Sequence, residues 1–292
     1  GNNLNNILMN MSSRIVIALG IAGCIITAGC DLSAGRMIGF GGCIAGTLLQ
    51  KMDYSKKFFP NMEPMNIFVA LLIVMAICAV FGCVTGFFIA YMHVPPFIST
   101  MAMMEVVYGI NLIYTNATPL GGYTKQYTDI ATGKFLGINY LIWIAILVAA
   151  ITWFIFNMTR HGKYMYAIGG NRQAARVAGI NVEKNLILTY MWCGLVSGLA
   201  GAMLAARTGS ADPSTNGLQY EFDAIAAATI GGTSQTGGIC RMSGVLSGIL
   251  ILGIINNGLV LLGVNDNLTQ VIKGLIIVVS VVVDMRKNAV RP

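Results

Sequence analysis

Apolar residues in this chain run on for many consecutive positions, break at a polar or glycine-rich stretch, and then resume. A run of about 20 apolar residues matches the hydrocarbon thickness of a bilayer. Nine segments approach that length: residues 14–28, 37–49, 65–91, 97–114, 140–158, 185–206, 220–230, 242–262 and 268–283. The first, second and seventh are short, and the third is long enough to tilt. Of the 292 residues, 56% are hydrophobic and 10% charged, and the mean hydropathy is +0.73. Soluble domains carry about 25% charged residues. Pattern and composition predict an all-α polytopic membrane protein, with one transmembrane domain over residues 1–292.

The remaining charges are unevenly placed. Nine crossings put the two ends of the chain on opposite sides, and Lys and Arg should mark the cytoplasmic side. Placing the C-terminus and residues 159–184 inside leaves ten basic and three acidic residues there. Eight basic and seven acidic residues fall outside, and Glu105 lies within a span. The inside count includes Arg286, Lys287 and Arg291. This orientation makes TRHGKYMYAIGGNRQAARVAGINV (159–182) a cytoplasmic loop, and its basic balance reports topology rather than nucleic-acid binding. The loop contains a short helix in miniature: Asn171 suits an N-cap, 172–178 holds no breaker, and Gly179 suits the left-handed position beyond the end. A helix of about seven residues is not stable alone in water, so a partner surface must hold it. The polar start GNNLNNILMNMSSR falls outside without a basic targeting segment before it. One further helix is therefore expected upstream.

Two glycine-rich breaks resemble each other at an offset of 203 residues. Residues 29–35 align with 232–238, Gly41 falls on Gly244, and Leu48 falls on Ile251. Paired glycine-interrupted segments suggest an internal two-fold repeat around a translocation path. Candidate path residues are Asp31, Ser33 and Gly35 in the first break, and Gly231, Gly232 and Thr233 at the second. Asn256 and Asn257 lie deep in 242–262, where amides need a partner or water. They either line a hydrophilic path or bond a neighbouring backbone. Glu105, about eight residues into its span, is a functional candidate by its depth or a neutral acid bonded to a neighbouring helix. The glycine pairs 82/86, 194/198 and 244/248 allow close helix packing.

Catalytic signatures are absent. The sequence holds no GxxxxGK[ST], HExxH or GxSxG, so it offers no P-loop for ATP and no hydrolase or zinc-protease site. Seven cysteines without a CxxC pair read as small buried hydrophobes rather than disulfides or metal ligands. His93 and His161 read as interfacial side chains.

Three segments carry a resemblance: 159–182, DLSAGR at 31–36, and DAIAAATIGGTSQTGG at 223–238. In this order they resemble the permease subunits of bacterial sugar ABC importers, among them the ribose, xylose, arabinose and galactose permeases. IVIALGIAGCIITAGCDLSAGR (15–36) and IGGTSQTGG most resemble the galactose/methyl-galactoside branch. The resemblance implies a bacterial inner-membrane protein, usually of ten helices, working as a homodimer. It also implies a cytoplasmic tandem ABC ATPase that uses the ATP and an external, periplasmic sugar-binding protein. Gly169, Gly170, Asn171, Arg172, Ala175, Arg176 and Gly179 then form the coupling helix that docks on the ATPase. Arg172 and Arg176, four apart, share a face, and Ala175 and Gly179 permit close approach. Glu105 stands where the family pattern has an apolar residue. A related nucleoside or pentose importer permease and a stand-alone sugar or polyol carrier or channel remain the alternatives.

Overall fold

The computed structural model describes residues 2–288, so Arg291 and the C-terminus, which entered the charge count above, lie outside the described residues. Helices α1 (Asn2–Ile26) and α2 (Ala34–Leu48) are joined through the first glycine break. The pair α3 (Ile67–Ala90) and α4 (Pro96–Thr115) follows. Next come α5 (Lys125–Thr132) and a two-stranded antiparallel hairpin of β1 (Lys134–Phe135) and β2 (Ile138–Asn139). Helix α6 (Tyr140–Met158) leads into the short α7 (Arg160–Gly170) and α8 (Arg172–Val177). The chain then forms α9 (Val182–Thr208), α10 (Tyr220–Ile230), α11 (Met242–Leu261) and α12 (Asp266–Asn288).

Six helices among the described residues are long and apolar enough to cross a membrane: Asn5–Ile26 of α1, α3, α4, α6, α9 and α11. The apolar part of α12, Asn267–Val283, is shorter, and α2 and α10 have 15 and 11 residues. Each of the nine apolar segments coincides with a helix, but their lengths differ from the sequence reading. The largest departure is at the start. The polar segment read as an outer tail is the first half of α1, a 25-residue helix. Two of its polar groups bond within the fold: Ser12 Oγ donates to the Leu8 carbonyl at 2.9 Å, and Arg14 reaches another helix. The two glycine breaks consequently follow helices of 25 and 11 residues, so the repeat does not extend to a short helix before each break.

Helix α9 is the axis of the packing. It lies against α3, α2 and α1, and glycines at the crossings let backbones meet. A Cβ at Gly194 would overlap the Cys78 carbonyl, and one at Gly201 the Ile38 carbonyl. Without a hydrophobic drive in lipid, such close contact is what holds helices together. Tyr127 of α5 adds a cap, donating to the Ala202 carbonyl at 2.6 Å.

The two ends of the bundle are built differently. At the α7–α8 end, the Gly238 N–H donates to the Ile26 carbonyl at 2.9 Å, and Gly169 abuts the same carbonyl. At the opposite end, single bridges join Gln50 to Tyr123 and Leu120 to Ala211. Beyond Ala211 the chain turns back into the bundle. The Ser214 carbonyl accepts from Arg36 at 2.8 Å, and Gly217 packs on Gly35. This returning segment lowers α10 into the interior, which explains why so short a helix is well buried.

Candidate functional site

The α7–α8 elbow follows from its caps. The Thr159 hydroxyl accepts from the Gly162 N–H at 3.2 Å, starting α7. Asn171 Oδ1 accepts from the Ala174 N–H at 2.9 Å and starts α8. Gly179, at φ +82°, ends the turn, and the Ile180 N–H closes on the Ala175 carbonyl at 3.1 Å. The Asn171 cap and the Gly179 turn are those expected from the sequence; the Thr159 cap and the helix it starts are not. Part of what holds α8 is its own chain: Ala175 is buried, and Arg176 pairs with Glu183 at the start of α9.

That arrangement corrects two expectations about the elbow. Ala175 faces inward, and Gly169 packs on Ile26 and Gly238, so neither lies on the open face. The open face is Arg172, Gln173, Arg176 and Val177, the last 82% exposed, with Gly170 and Gly179 free of close neighbours. On α7, His161 Nδ1 lies 2.8 Å from Asn185 Oδ1 of α9, and burial lowers the pKa of its imidazole.

The residues assigned to a path fall into separate groups. Asp31 is fully buried, and its Oδ1 accepts from the Ser33 N–H and hydroxyl at 2.9 and 2.6 Å. Its Oδ2 has no hydrogen-bond partner. The Cys24 and Cys193 thiols lie beside it, with one ligand-type atom of each of the three residues within 4.8 Å of the others. The sequence reading treated these cysteines singly; tertiary packing brings two together, both as free thiols. Gly35 packs against Glu221 and Gly217. Gly231 abuts Gly244 backbone to backbone, closing the α10–α11 contact. Gly232, at φ +83°, turns the chain, and the buried Thr233 donates to Cys240 Sγ at 3.2 Å. Glu105 lies on the exposed side of α4, away from the packed residues Met103 and Val107.

Asn256 and Asn257 lie on α11 and line a cavity of about 250 Å³ together with α1. Sequence reasoning missed the ionic network that Arg14 carries away from it. Arg14 Nη1 donates to Asp223 Oδ2 at 2.7 Å, and Lys273 Nζ lies 3.3 Å from Asp223 Oδ1. The Arg14 guanidinium also stacks over Tyr220 at 4.7 Å. The sequence reading placed these charges with the outer side, whereas they meet between helices. Acid and base in segments 209 residues apart left no local signal of pairing.

Residues 3–281 match the family model described as branched-chain amino acid transport system / permease component. The chain belongs to this permease family. It is therefore a transport subunit rather than an enzyme, as the absent catalytic motifs implied. Similar proteins include the galactose/methyl galactoside import permease MglC of Escherichia coli K12, 45% identical over 98% of this chain and 87% of that protein. The Haemophilus influenzae MglC is 42% identical with the same coverage of both chains. The ribose import permease RbsC of E. coli K12 is 40% identical over 98% of this chain and 87% of that protein. No solved structure matches the chain.

Proposed function

We propose that this permease is the membrane-spanning subunit of an ATP-driven importer for galactose or methyl galactoside in a bacterial inner membrane. The observation that carries the reading is the 45% identity to a galactose/methyl galactoside import permease over 98% of the chain. Two copies form the channel, an external binding protein delivers the sugar, and a separate cytoplasmic ABC ATPase hydrolyses ATP. The helices form one membrane domain, the short α10 entering it from the returning segment before it, with the C-terminus and the 159–184 loop inside.

The open face of α8 is the docking surface for the ATPase, with Arg172 and Arg176 meeting its acids. Asn171 and Gly179 shape that surface, Gly170 leaves it room, and Ala175 and Gly169 anchor it from behind. ATP-driven movement of this elbow rocks the permease between outward- and inward-open states, which requires the ATPase to bind the two states with different affinity. Asp31, Ser33 and Gly35 in one break, Gly231, Gly232 and Thr233 in the other, and Asn256 and Asn257 border the moving interface. Glu105, proposed from its depth as a path residue, lies on the exposed side of α4.

Uptake of labelled galactose into vesicles containing permease, ATPase and binding protein tests the reading. Uptake should require all three and ATP; uptake by the permease alone would overturn it in favour of a stand-alone carrier. Arg176→Glu should lower uptake and ATPase association while the permease remains folded in the membrane. Normal uptake with an unchanged complex would refute the docking assignment. A ribose importer is the second reading, favoured by the 40% identity to a ribose permease. Ribose uptake exceeding galactose uptake would select it.

A further inference from the structure

Near the α7–α8 end of the bundle, two helices present thiols to each other. Gly20 and Cys24 lie one turn apart on α1, and a Cβ at Gly20 would stand 3.2 Å from the Cys193 backbone of α9. This close approach sets Cys24 and Cys193 face to face, both fully buried. The first glycine break then brings back Asp31, also fully buried. One ligand-type atom of each of the three residues lies within 4.8 Å of the others. Positions 24, 31 and 193 carry no metal-ligand spacing in the sequence, because three separate segments supply them. Around a tetrahedral zinc ion, with Zn–S about 2.3 Å and Zn–O about 2.0 Å, ligand atoms stand about 3.5–3.8 Å apart. Closing in from at most 4.8 Å takes a shift of about 1 Å, the scale of small side-chain rotations.

The charges at this point suit a cation. Asp31 has no Lys or Arg partner among the described residues, and buried charges are ordinarily paired or bound to metal. The Ser33 N–H and hydroxyl both bond its Oδ1. They fix the carboxylate's orientation and leave its other oxygen for an ion, the part that groups behind a metal ligand play. A divalent cation that displaces two thiol protons leaves the net charge of the site unchanged, so no further charge is buried. Hard ions prefer all-oxygen shells, whereas two thiolates and one carboxylate suit a borderline ion with one open position. Cys30, next to Asp31, is half-buried and offers such an ion a first contact at the protein surface. We propose that Cys24, Asp31 and Cys193 bind one divalent cation of the zinc class per permease. Ile26, two residues past Cys24, meets both Gly169 of α7 and Gly238. The bound ion therefore ties α1, the first break and α9 together beside the joint with the elbow, and restrains its movement. That restraint rests on the importer reading; the binding site does not.

The test uses purified permease in phospholipid nanodiscs, kept reduced by a phosphine and titrated with zinc against a chromogenic chelator. Cobalt(II) in place of zinc reports thiolate coordination through its charge-transfer absorption. The wild type should bind one zinc per permease and show the cobalt band. Cys24→Ser and Cys193→Ser, each close in size to the native residue, should abolish the band and weaken zinc binding more than about a hundredfold. Loss of a group behind a ligand costs about 10–100-fold, so Ser33→Ala should weaken binding about tenfold. Cys83→Ser, at a half-buried position on α3, should change neither signal. Zinc should also raise the Tm of the wild type and of Cys83→Ser, but not of Cys24→Ser. No cobalt band in the wild type, or a band that survives both Cys24→Ser and Cys193→Ser, would overturn the site. In vesicles carrying the permease with its ATPase and binding protein, saturating zinc should slow galactose uptake by the wild type and not by Cys24→Ser. No slowing of the wild type, or equal slowing of both, would overturn the restraint. Absence of uptake in zinc-free buffer would instead count against the importer reading and leave the nanodisc titration to decide the site.

Discussion

Where α3 crosses α9, Gly82, Gly86, Gly194 and Gly198 turn toward the partner helix, and the backbones meet with no room for a side chain. Where α1 meets α11, Gly253 packs on the Met11 side chain rather than on backbone; above it, amides and an arginine border a cavity. Both interfaces repeat at helical spacing, and residue type alone decides whether the faces close or stand apart. Small residues let dispersion hold two helices together in lipid. Polar residues need hydrogen-bond partners, so their interface is held by ions at one edge and left open at its centre.

The comparison can be broken most severely at Gly194. Gly194→Leu drives a side chain into the Cys78 backbone, which has nowhere to move; overpacking costs about 1–3 kcal/mol in ordinary cores and more against backbone. The variant should not accumulate as folded permease in membranes. Recovery of a wild-type quantity with unchanged thermal stability would show that this interface is not close-packed.

Asp223→Ala comes next. It strands Arg14 and Lys273 together, and removing one partner of a buried pair costs about 3–5 kcal/mol. Arg14 is 21% exposed on its side chain, so a smaller loss, about 2–3 kcal/mol, is expected after allowance for screening. Unfolding titrated with denaturing detergent measures it. A loss no greater than that of Lys273→Ala would mean that Arg14 does not depend on the carboxylate.

Gly253→Ala sharpens the contrast. Its new methyl meets the Met11 side chain rather than backbone, and methionine is flexible enough to move aside. The cost should be about 1 kcal/mol or less, measured by the same titration. A penalty equal to that of Gly194→Ala would make the two interfaces alike.

The smallest effect lies outside both interfaces. Burial lowers the His161 pKa below its ordinary 6.5, so the folded protein favours the neutral ring. The unfolded chain takes up the proton first as pH falls. The stability associated with His161 is therefore present above pH about 6.5 and is lost as pH drops toward the folded-state pKa. His161→Gln should flatten that part of the stability profile while leaving the pH 8 value nearly unchanged. An identical pH profile for variant and wild type would remove His161 from the account.

Legibility differed by kind of feature. The Asn171 cap and the Gly179 turn were readable because their causes lie within a few residues of one another. Residues 140–158 and 220–230 coincide with α6 and α10 because their apolar runs have sharp polar or glycine ends. The first half of α1 was not readable, since Asn and Ser weaken an apolar pattern whether they face water or a cavity within a bundle. Ala175 looked available for docking because periodicity places it on a face without saying what that face meets. Glu105 and Asn256 are both polar residues within apolar runs, yet the fold puts one on the exposed side of α4 and the other in a cavity.

The chain alone determined that this is a helical membrane protein with a capped basic elbow, because hydrophobic length and capping are local properties of adjacent residues. Its similarity to sugar import permeases was carried by three short motifs. Tertiary structure decided which polar residues share a space. Arg14, Asp223 and Lys273 form one network, Asn10 and Asn256 border one cavity, and Cys24 lies beside Cys193. Each grouping joins helices distant in sequence, and its energy depends on distance and burial, which arise only when those helices pack.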